Sequence, residues 1–353
     1  MTGTLRVPLN RPKPDIEAFC RAITTDAERD RPPLVEFIVD RTVMEPVLHQ
    51  LGRPWAEADA ASEAYWDNVI AFWYHMGYDF VHLEVPAGLT RHMRPGGVRG
   101  REFLETGRGP IASWDDYEAY PWPNPEEADF FPYEHIQAHL PEGMGLIANY
   151  SGGPFEQLTY LMGYETLCVS LFEQPDLVAA VVKRIGEQME RYYRRLLQLP
   201  SLVALFPGDD MGFRTATLIS PNDLRKYTLG WHKRFAEMAH QAGRLYLLHT
   251  CGQTEAIMDD LIDDVGIDAK HSFEDAICPI PEAKKRWGGR VGLLGGVDID
   301  ALTRLDPDAL RVYVRKTIDA CAPGGRFAIG SGNSIPDYIP VENYLTMIDE
   351  ALR

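Results

Sequence analysis

The stretch Leu245-Tyr246-Leu247-Leu248-His249-Thr250-Cys251-Gly252 decides the fold. Four apolar residues in a row, ended by glycine, have the length and composition of a strand buried on both faces. The next residues, Gln253–Ile262, read as a helix, so the unit is strand, turn, helix. His249 and Cys251 are two apart and share one face of an extended chain. An imidazole and a thiol side by side at a strand's C-terminal end make half of a soft metal site.

The same unit recurs outward in both directions. Strand candidates are Leu34–Val39, Asp79–Val85, Gly145–Asn149, Leu202–Phe206, Leu245–His249, Ile267–Ser272, Val291–Leu294 and Arg326–Ile329. Helical stretches lie between them, among them Ala60–His75, Leu177–Leu196, Asn222–Gln241 and Pro307–Ala320. Eight such steps in a 353-residue chain predict an α/β fold, a single (β/α)8 TIM-type barrel. A doubly wound open sheet is the alternative, and no G-x-G-x-x-G follows any strand to support it. Residues 1–33 read as an N-terminal helical extension and 34–353 as the barrel. Residues 87–143, rich in Pro, Trp and acidic side chains (Pro121-Trp122-Pro123-Asn124-Pro125), form an insertion between strands two and three. That length suggests a lid over the mouth.

Composition limits the function. A net charge of −17 argues against nucleic acid and anionic membrane surfaces. Five unpaired-looking cysteines suit a reducing cytoplasm better than a disulfide framework. No apolar leader follows Met1, and no run is long enough for a membrane span.

A barrel's chemistry gathers at its strand C-termini. Strand two ends in His82 and Glu84, strand three in Asn149 and the turn to Phe155. Strand four runs into Gly208-Asp209-Asp210, strand five gives His249 and Cys251, and strand six gives His271 with Glu274 beyond. Strand seven leads to Asp298 and strand eight to Asn333. Asp209 and Asp210 are neighbours, so at most one is expected to face a pocket. His82 is expected to pack between strand and helix, and Asp298 to cap a turn. Tyr160 sits on a helical stretch, where a lone tyrosine usually belongs to the core.

Several of these motifs, taken in order, resemble the uroporphyrinogen decarboxylase superfamily: Gly152-Gly153-Pro154-Phe155-Glu156-Gln157-Leu158-Thr159-Tyr160-Leu161, Gly208-Asp209-Asp210, Ile219-Ser220-Pro221, His249-Thr250-Cys251-Gly252, Leu294-Gly295-Gly296-Val297-Asp298 and Ile339-Pro340-Val341-Glu342-Asn343. The resemblance implies a (β/α)8 barrel with its pocket at the C-terminal mouth. It places Glu84 where decarboxylases have a catalytic aspartate and Tyr160 where they have a pocket tyrosine. Their arginine-rich R-Q-A-G-R motif is missing, and Glu36-Phe37-Ile38-Val39-Asp40-Arg41 stands there instead.

The corrinoid-dependent methyltransferase branch is the closer likeness, through His249-x-Cys251. Its thiol-methylating members add a cysteine where this chain has Asn333. The resemblance therefore implies zinc on His249, Cys251 and a third ligand. Glu274 is the expected third ligand, and Glu84, Asp209 and His271 are alternatives. It also implies catalytic roles for Glu84, Tyr160, Asp210 and His249, and substrate contacts from Asn149, Phe155, Asp209 and Asn333. The implied reaction moves a methyl group between a small, methoxylated substrate and a corrinoid on a partner protein. A homodimer is in keeping with the superfamily. Metal-free decarboxylation of a carboxylated substrate is the second reading, and a non-catalytic binding barrel the third.

Overall fold

The computed structural model describes residues 5–27, 29–57, 62–85, 88–89, 93–95, 102–104 and 107–353. Seven parallel strands are hydrogen-bonded in the order in which they occur along the chain. They are β1 (Phe80–Val85), β2 (Gly145–Tyr150), β3 (Leu202–Leu205), β4 (Leu245–His249), β5 (Ala269–His271), β6 (Gly292–Leu294) and β7 (Phe327–Ala328). Each lies within one or two residues of its expected bounds. Buried parallel strands are unbroken apolar runs, and such runs are readable. Helices between the strands cover the outside; Pro175–Leu196 does so with buried Leu177, Val181, Ile185, Met189 and Tyr192 at helical spacing.

The expected first strand, Leu34–Val39, differs. It docks beside β7 through isolated parallel bridges, Leu34 to Ile329 and Val39 to Ile335, and not through a ladder. Val35 N–H donates to the Ile329 carbonyl (2.9 Å). A parallel ladder would next require Ser331 N–H to donate to the Val35 carbonyl. It donates to the Glu36 carboxyl instead (3.2 Å). The side chain has taken the donor on which the ladder depends. The backbones approach so closely here that a β-carbon on Gly330 would overlap the Val35 carbonyl.

The helix Ile16–Thr24, capped by Asp15 accepting from Ala18 N–H, buries Phe19 and Ile23. It lies across the N-terminal ends of the strands, with the Phe19 and Phe80 rings 4.9 Å apart. That end is plugged, and the C-terminal end is free for a site. Ser220, Asp298 and Asp306 cap helices. Gln253–Ile262 is not one helix but a 3-10 turn, Glu255–Ile257, followed by a π turn, Asp260–Val265. Asp259/Asp263 and Asp260/Asp264 are like charges four apart, which oppose a regular helix.

The insertion contains a two-stranded antiparallel ribbon, Met93–Pro95 with Glu102–Leu104, and the helices Trp114–Ala119 and Phe131–His139. The part of the expected lid at 87, 90–92, 96–101 and 105–106 lies outside the described residues. Among the described residues no helix is long and apolar enough to cross a membrane.

Candidate metal centre and active site

Two loops build the centre. One leaves β3 through Gly208, Asp209 and Asp210; the other leaves β4 through Thr250, Cys251 and Gly252. They pack backbone on backbone: a β-carbon at Gly212 would run into Cys251 and Gly252, and one at Gly252 (φ +76°) into Gly212. That contact allows Cys251 N–H to donate to Asp210 Oδ1 at 2.8 Å. His249 Nε2 stands 3.2 Å from Cys251 Sγ and 3.6 Å from Asp210 Oδ1. The ligand-type atoms of Asp210, His249 and Cys251 all lie within 4.8 Å of one another. Nitrogen, sulfur and carboxylate oxygen, held this close with one side open, fit a zinc ion with an exchangeable position.

A hydrogen-bond relay sets the state of His249. His271 Nε2 lies 3.1 Å from the Ser331 carbonyl, an obligate acceptor, so that nitrogen carries the proton. His271 Nδ1 then accepts, and its partner at 2.7 Å is His249 Nδ1, which donates. His249 Nε2 is left as a bare lone pair facing Cys251 and Asp210. An outer partner commonly fixes the tautomer of a metal-binding histidine in this way. Burial, reinforced by the Lys270 charge, holds the His249 pKa down to about 3, so the ring is neutral at ordinary pH. Burial and then His249 push His271 down as well. Phe37 stacks flat on the His249 ring (4.2 Å, 14°) and fixes its plane.

Burial, then the Asp210 charge, pushes the Cys251 thiol well above its usual pKa. A cation is the natural means of ionising it. Asn333 Nδ2 donates to Sγ at 3.0 Å, so the residue at the position where the resemblance implies a second cysteine instead supports the sulfur. Behind the loop the fully buried Lys270 donates to the carbonyls of Ser272 (2.6 Å) and Thr250 (3.2 Å). Burial lowers its pKa to about 8.

In front of His249 and Asp210 lies a cavity of about 250 Å³ whose walls include Glu84, Glu156, Tyr160 and Asn333 and, among the described residues, no lysine or arginine. Glu84 Oε2 accepts from Asn149 Nδ2 (2.7 Å), whose Oδ1 faces His82 Nε2 (3.1 Å). Asn149 is fully buried, so it orients Glu84 from behind the cavity wall. Burial, followed by the charges of Asp210, Asp209 and Glu84, pushes Glu156 well above the carboxylate range. That shift favours the protonated form, and Tyr160 Oη donates to Glu156 Oε1 at 3.2 Å. On its other side Cys251 borders an open groove of about 1390 Å³.

Not every residue singled out in the sequence arrives at the cavity. Asp209 has no exposed surface, and its oxygens accept from Phe155 N–H (3.1 Å), Glu156 N–H (2.7 Å) and His232 Nε2 (2.7 Å). It fastens the helix Pro154–Met162 to the barrel. We expect Asp209→Ala to destabilise the protein by about 3–5 kcal/mol, as for other broken buried pairs, with a matching drop in the urea midpoint. Phe155 is core, 1% exposed. His82 faces the barrel interior beside Phe37 and Phe206, not the space between strand and helix, because it shares a strand face with Glu84. Glu274 stands outside the three-ligand group, and its carboxyl is raised by burial and by Asp298 and Asp210. Sequence reasoning gave no role to Glu156, although it falls in a quoted motif. It also overlooked Glu36, a carboxylate inside an otherwise apolar run, and the pair His135-x-x-x-His139.

The fold and this mouth define an α/β protein whose curled, seven-stranded parallel sheet, in keeping with a TIM-type barrel, carries its site at the strand C-termini. Residues 108–353 match the uroporphyrinogen decarboxylase (URO-D) family, and the chain belongs to that family. A uroporphyrinogen decarboxylase of Azotobacter vinelandii is 24% identical over 252 residues, spanning 65% of this chain and 65% of that protein. One from Pseudomonas fluorescens is 22% identical over 261 residues, 68% of this chain and 70% of that one. A methyltransferase from Methanosarcina mazei has a similar fold, with a TM-score of 0.71 at 17% identity over 96% of this chain and 98% of that one.

Proposed function

We propose that this protein is a zinc-dependent methyltransferase that takes a methyl group from a small methoxylated compound, with a corrinoid on a partner protein as acceptor. The observation that carries this reading is the meeting of His249 Nε2, Cys251 Sγ and the Asp210 carboxylate at the mouth, with the histidine tautomer already set for a metal. When bound there, zinc supplies Lewis acidity toward the oxygen of the donor's O–CH3 group.

The chain's own residues do the rest. Among the described residues the cavity is lined by carboxylates and by no lysine or arginine, which suits a neutral donor and opposes a polycarboxylate, and so weighs against the decarboxylase reading. Glu84, held by Asn149, and Tyr160 orient the donor. The O–CH3 bond breaks as the methyl carbon is attacked by the acceptor. The Glu156 carboxyl, pushed by burial toward its protonated form, delivers a proton to the departing oxygen, so a neutral alcohol or phenol leaves. This gives the acid role expected of Asp210 to Glu156, while Asp210 replaces Glu274 as the third ligand.

The test is an assay with reduced corrinoid and a panel of methoxylated compounds, following cobalt absorbance and the demethylated product. Methyl transfer is expected only with zinc-loaded protein, one product per methylated corrinoid. Activity that survives complete removal of zinc, or carbon dioxide release from a carboxylated substrate, would overturn the reading.

A further inference from the structure

A second cluster of metal-ligating side chains lies on the outside of the barrel. His135 and His139 are four residues apart on the helix Phe131–His139 and so share a face. Their rings stack with centroids 4.2 Å apart. Asp67, on the neighbouring helix Glu63–Met76, closes a triangle: one ligand-type atom from each of Asp67, His135 and His139 lies within 4.8 Å of the other two. His139 Nδ1 donates to its own helix at the His135 carbonyl (2.8 Å), which leaves the lone pair of the neutral ring on Nε2. His135 Nε2 stands 2.9 Å from Asp67 Oδ1. The His135 side chain is only 5% exposed while that of Asp67 is 48% exposed, so the cluster is a notch with a buried floor and a solvent-facing rim.

We propose that Asp67, His135 and His139 form a second divalent metal site, for zinc or a neighbouring late transition metal, separate from the centre at the barrel mouth. Two imidazole nitrogens and one carboxylate oxygen, with water completing the shell, are a donor set these ions accept. On binding, the neutral His135 ring carries its one proton on Nδ1 and presents the Nε2 lone pair to the cation, and Asp67 turns from hydrogen-bond acceptor to ligand. The ion would fasten two helices that precede β1 and β2, the strands that carry Glu84 and Asn149 near their C-terminal ends. Its expected effect is therefore to clamp the returning arm of the insertion against the barrel.

The experiment is zinc titration of untagged, chelator-stripped protein, with stoichiometry by elemental analysis and a melting temperature at each zinc level. Wild type is expected to bind two ions. His139→Ala, a change at an exposed position, is expected to weaken one of them by more than about tenfold and to remove part of the zinc-dependent rise in melting temperature. Cys251→Ser is expected to retain that ion, and Cys251→Ser with His139→Ala to lose both. If the mouth binds no metal, wild type binds one ion and His139→Ala abolishes it, which sinks the functional reading and keeps this one. The proposal is overturned if His139→Ala and Asp67→Asn both leave stoichiometry and the zinc-dependent melting shift unchanged.

Discussion

Cys251→Ser is expected to lower zinc affinity at the barrel mouth by at least about a thousandfold and to take methyl transfer with it, while leaving the melting temperature of the metal-stripped protein nearly unchanged. The large effect follows from how little the sulfur's surroundings favour its charge without a cation: the thiol is buried, faces Asp210, and has one strong donor, Asn333 at 3.0 Å. Serine keeps the volume but cannot ionise there, so one of three protein ligands is lost outright. Asp210→Asn is expected to have an effect of the same kind, about a hundredfold or more, because it removes the only charge contributed by an oxygen ligand. Glu274→Gln is expected to change affinity less than about threefold, since Glu274 stands outside the group. Competition with a chromogenic chelator measures all three. Equal losses in Asp210→Asn and Glu274→Gln would restore Glu274 as a ligand.

How much of this site the sequence discloses depends on the range of the interactions involved. His249 and Cys251 share a face because a strand has period two, and that needs no tertiary information. The neighbours Asp209 and Asp210 could not both enter the pocket, but which one does is decided by His232, 23 positions away in sequence, whose Nε2 holds Asp209 in the interior. The relay from Ser331 through His271 to His249 joins three strand ends and has no local signature. Glu156 is equally opaque: it stands in a recognisable motif, yet its raised pKa comes from burial and from Asp210, Asp209 and Glu84 on two other segments. The apolar run Leu34–Val39 is read as a strand on composition, and only the capture of Ser331 N–H by Glu36 explains why it makes bridges and not a ladder.

Glu36 has its own consequence. It is fully buried, next to Ser331 and near the hydroxyls of Tyr78 and Tyr344, and burial raises its pKa to about 8. In the unfolded chain it titrates near the ordinary glutamate value. Between these two values the folded protein holds a proton that the unfolded chain has released, so stability falls as pH rises through that window, by about 5 kcal/mol in all. The buried, depressed histidines His82, His249 and His271 act oppositely at lower pH: there the unfolded chain binds the extra protons, and stability rises with pH until about 6.5. Metal-stripped wild type should therefore be most stable near neutrality and weaken toward pH 8.

Glu36→Gln isolates the carboxyl, because the histidine contributions cancel between the two proteins. Its amide oxygen can accept from Ser331 N–H and from the Ser331 hydroxyl, as the carboxyl oxygen does. Urea denaturation is expected to give variant and wild type within about 1 kcal/mol of each other near pH 5, and the variant ahead by about 2–4 kcal/mol at pH 8. Zinc affinity of the variant at pH 7 should stay within about threefold of wild type, since the Ser331 carbonyl that sets the histidine relay is untouched. A stability difference that does not change with pH would mean that this carboxyl is not held protonated in the folded protein.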